Sequence, residues 1–156
     1  KQFLDNRFAN SLFIDTPSIV SEFPFESLPP IIFCNDEHKF LALNDLKHSN
    51  QEISKILLEP ESKNTAPAIT LAALYLKERF DEEVLMLVLP SDHKIDDKEE
   101  LYKSIDKLKP HAESGSLCAL GIKPTFPNKA FGYLEHSNSL NEDEVSDLRS
   151  LHETTS

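Results

Sequence analysis

The chain has 156 residues, 39% of them hydrophobic, and acidic residues outnumber Lys and Arg by 27 to 16 for a formal net charge of −11. This length and hydrophobic content suit one compact domain or part of one and exclude wholesale disorder. The negative charge argues against a general nucleic-acid surface, because such a surface needs clustered Lys and Arg. No uncharged apolar run approaches the ~20 residues that span a bilayer, so no membrane partner is expected.

Cysteine and glycine usage narrows the class further. Cys34 and Cys118 form neither a metal-binding spacing nor a disulfide framework, and the first residues lack the segments of a signal peptide, so we expect a cytoplasmic protein. Three glycines are present, where average usage of ~7% would give about eleven. Neither G-x-G-x-x-G nor G-K-[ST] can be written from Gly115, Gly121 and Gly132, so the sequence contains no glycine-rich phosphate loop.

The first half of the chain predicts two strands, each followed by a helix. Residues 10–20 suit a helix that Pro17 interrupts. An apolar run predicts a buried strand at 31–34, after which Asn35 or Asp36 can cap a helix through about residue 47. A second strand is predicted at 55–58. The next helix has Thr65 as its candidate cap, and its core-facing stripe consists of Ile69, Ala72, Ala73, Leu76 and Phe80.

The second half continues this alternation. Residues 84–89 form the most apolar run, and its lack of alternation is typical of a central parallel strand covered on both faces. Asp96 or Asp97 can cap the following helix, and residues 117–122 and 131–134 predict two further strands. From residue 141 the acidic sequence predicts a surface helix or a frayed tail. The last helix places four apolar residues on one side, namely Leu101, Ile105, Leu108 and Ala112.

Alternating strands and helices predict an α/β fold, with a Rossmann-like parallel sheet and helices on its faces. Ligands of such sheets bind at the carboxyl ends of the strands, where residues 59–67 and 90–93 are expected. Asp92 directly follows the most apolar strand, and its carboxylate can hold Mg²⁺ together with substrate phosphates or simply turn the chain. A general-base role for His93 has less support, because no second His or Cys stands at a suitable spacing.

The start of the helix at Thr65 is the second candidate ligand site. Free N–H groups and the helix dipole at this end favour an anion or an electron-rich base edge. Asn64 offers a donor and an acceptor, which suits reading of a purine edge. The alternative is an Asx turn and a helix cap that bind no ligand.

Four ordered segments resemble mannose-1-phosphate guanylyltransferases of the bacterial type that is often fused to a phosphomannose isomerase. The most specific is residues 58–68, L-E-P-E-S-K-N-T-A-P-A, which is similar to the family's L-E-P-x-G-R-N-T-A-P-A. Lys1-Gln2-Phe3 also matches the residues that follow the family's phosphate loop, and the resemblance covers about residues 1–8 and 31–135. The other three segments are I-I-F-C-N-D-E-H-K-F at 31–40, V-L-P-S-D-H at 88–93 and G-I-K-P-T-F-P-N-K-A-F-G-Y-L at 121–134.

This resemblance implies a nucleotidyltransferase that uses Mg²⁺ to convert GTP and mannose 1-phosphate into GDP-mannose and pyrophosphate. The sugar phosphate would attack the α-phosphorus in line, a reaction that needs positioning and charge neutralisation more than covalent help from the protein. By position, Asp92 would be the catalytic Mg²⁺ carboxylate and Lys1 the catalytic lysine that faces the triphosphate. The implied binding residues are Glu59, Pro60, Lys63, Asn64 and Thr65 for the nucleotide and Gly132 and Tyr133 for the sugar.

The sequence departs from the family pattern in two segments. Ser62-Lys63 replaces the family's G-R, which keeps the charge but loses the bidentate fork of arginine. Asn128-Lys129-Ala130-Phe131 replaces E-T-G-Y on the sugar side, where the lost glycine removes a place for positive φ or close backbone approach. These changes leave two alternatives open, namely a nucleotidyltransferase for another sugar phosphate or base, and a non-catalytic nucleotide-binding or regulatory module.

The family's phosphate loop would precede Lys1, and its E-K-P lysine and second Mg²⁺ aspartate would follow about residue 150. We therefore expect residues 1–140 to be the central part of one nucleotidyltransferase domain, without the N-terminal strand and phosphate loop, followed by the acidic segment 141–156. We expect no turnover by this chain alone. A homodimer is left open, because a sheet without its first strand exposes an edge.

Overall fold

The structure is a computed structural model, and it describes residues 12–49, 52–59, 61, 65–129, 131–137 and 145–153. The chain divides into two compact units, residues 1–102 and 103–156, and each is considered by itself. The helices are α1 (Leu12–Ser21), α2 (Lys39–Ser49), α3 (Thr65–Arg79) and α4 (Lys98–Glu113), and the strands are β1 (Ile31–Asn35), β2 (Lys55–Glu59), β3 (Tyr133–His136) and β4 (Leu148–His152).

The first unit contains a parallel pair of strands, β1 and β2, which confirms the strands predicted at 31–34 and 55–58. The register runs from Ile31 opposite Lys55 to Asn35 opposite Glu59. A crossover of helix α2 joins the two strands, as a parallel pair requires. Consequently the carboxyl ends of both strands lie at the same edge.

The hydrophobic core of this unit lies between β1 and α2. Ile32 and Cys34 project from alternate positions of β1 and are buried, and Ala42 of α2 is completely buried. Alternate positions of a strand face the same side, so one face of β1 supplies both core residues. The partly buried side chains around this cluster are Leu46, Ile53 and Ile56.

Helix α3 confirms most of the predicted apolar stripe. Ala72 is buried, and Ile69, Leu76 and Phe80 are partly buried, whereas Ala73 is exposed. The helix begins with Thr65 as its first residue, so Thr65 lies within the helix instead of capping it as predicted.

Helix α1 continues through Pro17, although the sequence predicts an interruption there. The last turn of α1 packs against the N-terminal part of α4, where the Tyr102 hydroxyl donates to the Ile19 carbonyl at 3.0 Å. The Phe23 ring meets the Tyr102 ring edge to face at 5.1 Å, and Lys98 pairs with Glu22 at 2.8 Å. These tertiary contacts hold the end of α1, on the C-terminal side of Pro17, against the start of α4.

The prediction of a central strand at residues 84–89 is wrong for this structure, because the segment is irregular. Val84, Leu85, Leu87 and Val88 each expose between 40% and 48% of their surface. A central strand needs a hydrogen-bonded strand on each side, and within the described residues the parallel sheet consists of β1 and β2. High apolar content therefore did not suffice to form a strand without partners.

The second unit contains the C-terminal part of α4, which ends in a Schellman motif. The Gly115 N–H donates to the Ala112 carbonyl at 2.9 Å, and the Ser116 N–H donates to the His111 carbonyl at 3.1 Å. Gly115 has a φ of 91°, in the left-handed region that this motif requires. The motif turns the chain sharply at the end of the helix.

Two predictions in this unit need correction. Residues 117–122 form no strand, and Leu117 and Ile122 are almost fully exposed, because the described residues provide no neighbouring strand for them. The segment 148–152, expected to be a surface helix or frayed tail, forms β4. It pairs antiparallel with β3, with Tyr133 opposite His152, and this pairing supplies the backbone hydrogen bonds that an isolated tail lacks.

The strand predicted at 131–134 is confirmed in part, since β3 begins at Tyr133 and extends to His136. A register shift interrupts the β3–β4 ladder between Glu135 and His136. Within the described ranges, no helix is both long enough and apolar enough to cross a membrane.

Candidate functional site

The carboxyl edge of the β1–β2 pair carries two polar residues side by side. Asn35 and Glu59 are Cα partners and form the last pair of the ladder. The Asn35 side-chain oxygen accepts the Glu37 N–H at 2.9 Å and caps the 3₁₀ turn Asp36–His38 that leads into α2. Asn35 thus confirms one of the two predicted caps and fixes the path of the chain beside Glu59.

Electrostatics at this edge are dominated by carboxylates. Burial raises the pKa of the Cys34 thiol, and the Asp36 and Glu59 carboxylates raise it further, while Lys39 acts in the opposite direction. The influence of Asp36 and Glu59 places two negative charges around the end of β1. Such an edge favours a ligand that presents hydrogen-bond donors or a cation.

The predicted nucleotide segment continues from Glu59 into the start of α3. Glu59 is half-buried at the end of β2, and Thr65 is exposed at the beginning of α3. The first N–H groups of a helix lack partners within the helix and can donate to a ligand. The other predicted nucleotide residues, Pro60, Lys63 and Asn64, lie outside the described residues, as does the predicted catalytic Lys1.

Asp92 lies in a turn immediately after the apolar segment 84–89. Its side chain is exposed, as is that of His93. Helix α1 contacts the chain two residues before Asp92, because the Thr16 hydroxyl donates to the Pro90 carbonyl at 3.4 Å. Among the described residues, no hydrogen bond or ion pair joins Asp92 to Glu59 or Thr65.

The segment after Asp92 leads into α4, which starts where the sequence predicts. The Asp97 carboxylate accepts the Glu100 N–H at 3.0 Å and caps the helix, so Asp97 is the cap of the two candidates. Neighbouring Asp96 instead pairs with Lys94. Asp97 and Asp96 thus have partners at the start of α4 and just before it, whereas Asp92 is the acidic residue within the turn at residues 91–92.

A metal at Asp92 would have to be shared with other ligands. In the described part of the chain, no group of three or more His, Cys, Asp or Glu residues could hold an ion. Mg²⁺ often binds through one or two carboxylates, with waters and substrate phosphates as its remaining ligands. A single exposed carboxylate therefore fits a Mg²⁺ ion that arrives with a nucleotide triphosphate.

The predicted sugar residues, Gly132 and Tyr133, lie in the second unit at the start of β3. A Cβ atom added to Gly132 would meet the Leu151 side chain at 3.6 Å, the His152 carbonyl oxygen at 3.7 Å and the Glu153 side chain at 3.9 Å. These are ordinary van der Waals distances, so the protein itself leaves room for a methyl group here.

Two features of this unit were missed in the sequence. The Tyr133 hydroxyl accepts the Asn128 N–H at 2.7 Å and donates to the Asn128 carbonyl at 3.0 Å. The pairing of β3 with β4 also brings Glu153 beside Gly132. Twenty-one positions separate these residues in sequence, and no motif identified β4 as a strand, so no sequence signal could have placed them together.

A polar cluster lies across the β3–β4 pair. The Glu135 Oε2 atom accepts from the Ser150 hydroxyl at 2.9 Å and lies 2.8 Å from the His152 Nε2 atom. These hydrogen bonds, chiefly the one with His152, lower the pKa of the exposed Glu135 carboxyl. Because Ser150 and Glu135 meet the same His152 nitrogen, the cluster lacks the relay geometry of a hydrolase triad.

Comparison with known proteins finds one matching family model and several similar sequences. A family model described as nucleotidyl transferase matches residues 22–152. A mannose-1-phosphate guanylyltransferase of Escherichia coli is 38% identical over 155 residues, which is 97% of this chain and 33% of that protein. A Klebsiella pneumoniae protein of the same name is 37% identical over 142 residues, which is 91% of this chain and 30% of that protein.

A third relative, the alginate biosynthesis protein AlgA of Pseudomonas fluorescens, is 37% identical over 139 residues, covering 88% of this chain and 28% of its own length. No solved structure gives a significant match. The parallel strands and the family match together define the class, and the chain belongs to the nucleotidyl transferase family. It spans about a third of the length of the curated relatives that it matches.

Proposed function

We propose that the intact protein transfers the guanylyl group of GTP to mannose 1-phosphate and releases pyrophosphate. The observation that carries this proposal is the position of Glu59, at the carboxyl end of β2 and just before the start of α3. This edge is where parallel sheets bind ligands. The relatives named mannose-1-phosphate guanylyltransferase support the choice of base and sugar.

Glu59 is proposed to read the guanine base. The Watson–Crick edge of guanine presents two neighbouring donors, N1–H and the N2 amino group, which a carboxylate can accept together. Adenine presents an acceptor at N1, which a carboxylate repels. Together with Thr65 and the undescribed Pro60, Lys63 and Asn64, Glu59 would form the nucleotide site, with the N–H groups of α3 as further donors.

Asp92 is proposed to hold Mg²⁺ jointly with the triphosphate. The ion would supply charge neutralisation for the pyrophosphate leaving group. Asp92 is exposed at the end of the apolar segment, and its turn is tied to α1 through Thr16 and Pro90, so the carboxylate is available on a braced loop. Lys1 is proposed to face the same phosphates as a second positive charge.

Gly132 and Tyr133 are proposed to border the sugar phosphate. A pocket wall at Gly132 could approach a ligand closely, because this residue has no side chain and the protein leaves space for one. Ala130 stands where the family pattern has glycine, so a different sugar phosphate remains the alternative substrate. In the proposed reaction the sugar phosphate attacks the α-phosphorus in line, with catalysis by positioning and charge neutralisation.

We propose that residues 1–140 belong to one nucleotidyltransferase domain with a mostly parallel sheet and helices on both faces, followed by the acidic segment 141–156. The family match at residues 22–152 supports this domain assignment. We also expect the protein to lie in the cytoplasm and to be able to form a homodimer.

The test is an assay of the intact protein for pyrophosphate release with Mg²⁺, using GTP or ATP with mannose 1-phosphate or glucose 1-phosphate. We expect turnover that is fastest with GTP and mannose 1-phosphate. Turnover with another pair would replace the substrate assignment and keep the reaction class. A folded protein that turns over none of the pairs would overturn the enzyme assignment in favour of a nucleotide-binding module.

A further inference from the structure

The Tyr133 hydroxyl holds both backbone groups of one residue, Asn128. It accepts the Asn128 N–H at 2.7 Å and donates its own proton to the Asn128 carbonyl at 3.0 Å, and the side chain is partly buried. A phenol has one proton to donate. The proton of Tyr133 is therefore committed to the backbone and is not available for donation to a ligand.

The clasped residue begins the turn that leads to Gly132. The Phe131 N–H also donates to the Asn128 carbonyl, at 3.3 Å, so two donors converge on one oxygen. Gly132 follows directly, and Tyr133 is the first residue of β3, which pairs with β4. The hydroxyl thus ties the loop at Asn128 to a residue that the sheet already fixes.

We propose that Tyr133 is a positioning residue, which holds Asn128 and thereby fixes how Gly132 is presented to the sugar phosphate. This inference rests on the proposed function, because that function makes Gly132 part of the sugar site. It changes the role of Tyr133 from a direct sugar contact to a brace behind the contact. Free rotation of the loop would otherwise impose an ordering cost each time the substrate binds.

The test uses the intact protein and its Tyr133→Phe variant, which keeps the aromatic ring and loses the two hydrogen bonds. We expect the KM for mannose 1-phosphate to rise about tenfold, on the order of the effect of two neutral hydrogen bonds, while the KM for GTP stays unchanged. In the absence of substrate, we expect hydrogen exchange at the Asn128 amide to become faster, because its acceptor is removed.

Tyr102→Phe is the matched control. Its hydroxyl also donates to a backbone carbonyl, that of Ile19, but it lies in the first unit, away from the segment 128–132 in sequence. We expect this variant to lose stability and to keep both KM values. A rise in the KM for mannose 1-phosphate in both variants would mean that a general loss of stability is responsible, and it would overturn the positioning role.

The remaining outcomes separate this inference from the proposed function. If the wild-type protein is active and Tyr133→Phe keeps its KM values, the positioning role is wrong while the proposed function stands. If the KM rises but Asn128 exchange is unchanged, the hydroxyl touches the sugar directly, which also overturns the inference. If the wild-type protein turns over no sugar phosphate, the proposed function fails. Hydrogen exchange at the Asn128 amide still tests the role of Tyr133 in that case, because equal exchange in wild type and Tyr133→Phe would reject it.

Discussion

Asn35 and Glu59 lie opposite each other as the last residue pair of the parallel β1–β2 ladder. The Asn35 side chain caps the turn that follows β1, and the Glu59 side chain beside it is half-buried at the edge of the sheet. Because both strands end here, the residues that follow them must leave the sheet on the same side. The register therefore places Asn35 and the turn that it caps beside Glu59, the residue proposed to read the base.

Replacement of Glu59 by glutamine should weaken the selection of GTP. The amide keeps one acceptor but loses the charge and adds a donor, which opposes the donors of guanine. We expect the ratio of kcat/KM for GTP over ATP to fall by about tenfold or more, since hydrogen bonds to a charged group contribute roughly 1.5–3 kcal/mol. Glu52→Gln, an exposed change before the amino end of β2, is the control and should leave the ratio unchanged.

The two cysteines should differ in reactivity towards alkylating reagents. Cys34 is buried, and burial together with the Asp36 and Glu59 carboxylates raises its pKa, so little of it exists as the reactive thiolate near neutral pH. Cys118 is exposed. Brief iodoacetamide treatment followed by peptide mapping should label Cys118 much faster, and equal labelling of the two would contradict the described environment of Cys34.

Gly115→Ala should destabilise the protein. Gly115 adopts a φ of 91° in the Schellman motif after α4, where a Cβ atom is strained although the surrounding space is open. We expect a loss of about 1 kcal/mol in the free energy of unfolding, measured by urea denaturation. Gly132→Ala is the matched control, because its φ lies outside the left-handed region and its Cβ would make ordinary contacts. An equal loss in both variants would argue against backbone strain as the cause.

Glu135→Gln should change how stability depends on pH. Hydrogen bonds to His152 and Ser150 lower the pKa of Glu135 in the folded protein. A lowered folded-state pKa adds stability that is present above the unfolded-state pKa and is lost as the pH falls through the folded-state pKa.

Wild type and variant should therefore converge in melting temperature at strongly acidic pH and diverge above about pH 5, where the unfolded carboxyl is ionised. The difference should be small and should shrink with added salt, because these groups are exposed to solvent. A constant difference at every pH would show that the carboxylate charge is not responsible.

The parts of the fold that depend on local pattern could be predicted from sequence. Ile32 and Cys34 revealed β1 through a short apolar run, and Asp97 revealed the start of α4 through its capping chemistry. The same reasoning placed the end of β2 and the start of α3 within one position of where the structure has them. Each of these features is determined by residues within a few positions of each other.

The parts that depend on distant partners could not be predicted. Val84 and Leu117 lie in apolar runs that predict strands, yet the described residues provide no neighbouring strand to pair with either run. Leu148–His152 is a polar segment that becomes a strand because β3 supplies its hydrogen bonds. The bond between Tyr133 and the Asn128 backbone likewise depends on the exact path of a turn, and its residue types do not encode it.

The central claim, that the carboxyl end of the 84–89 segment is the catalytic end, is tested most directly by Asp92→Asn in the intact protein. The assay is Mg²⁺-dependent pyrophosphate release from GTP and mannose 1-phosphate, with Asp81→Asn, an exposed change just before the amino end of the same segment, as the control. We expect Asp92→Asn to lower kcat by at least about a hundredfold, since the metal neutralises the developing charge, and Asp81→Asn to keep it. Near-normal kcat in folded Asp92→Asn protein would contradict the claim.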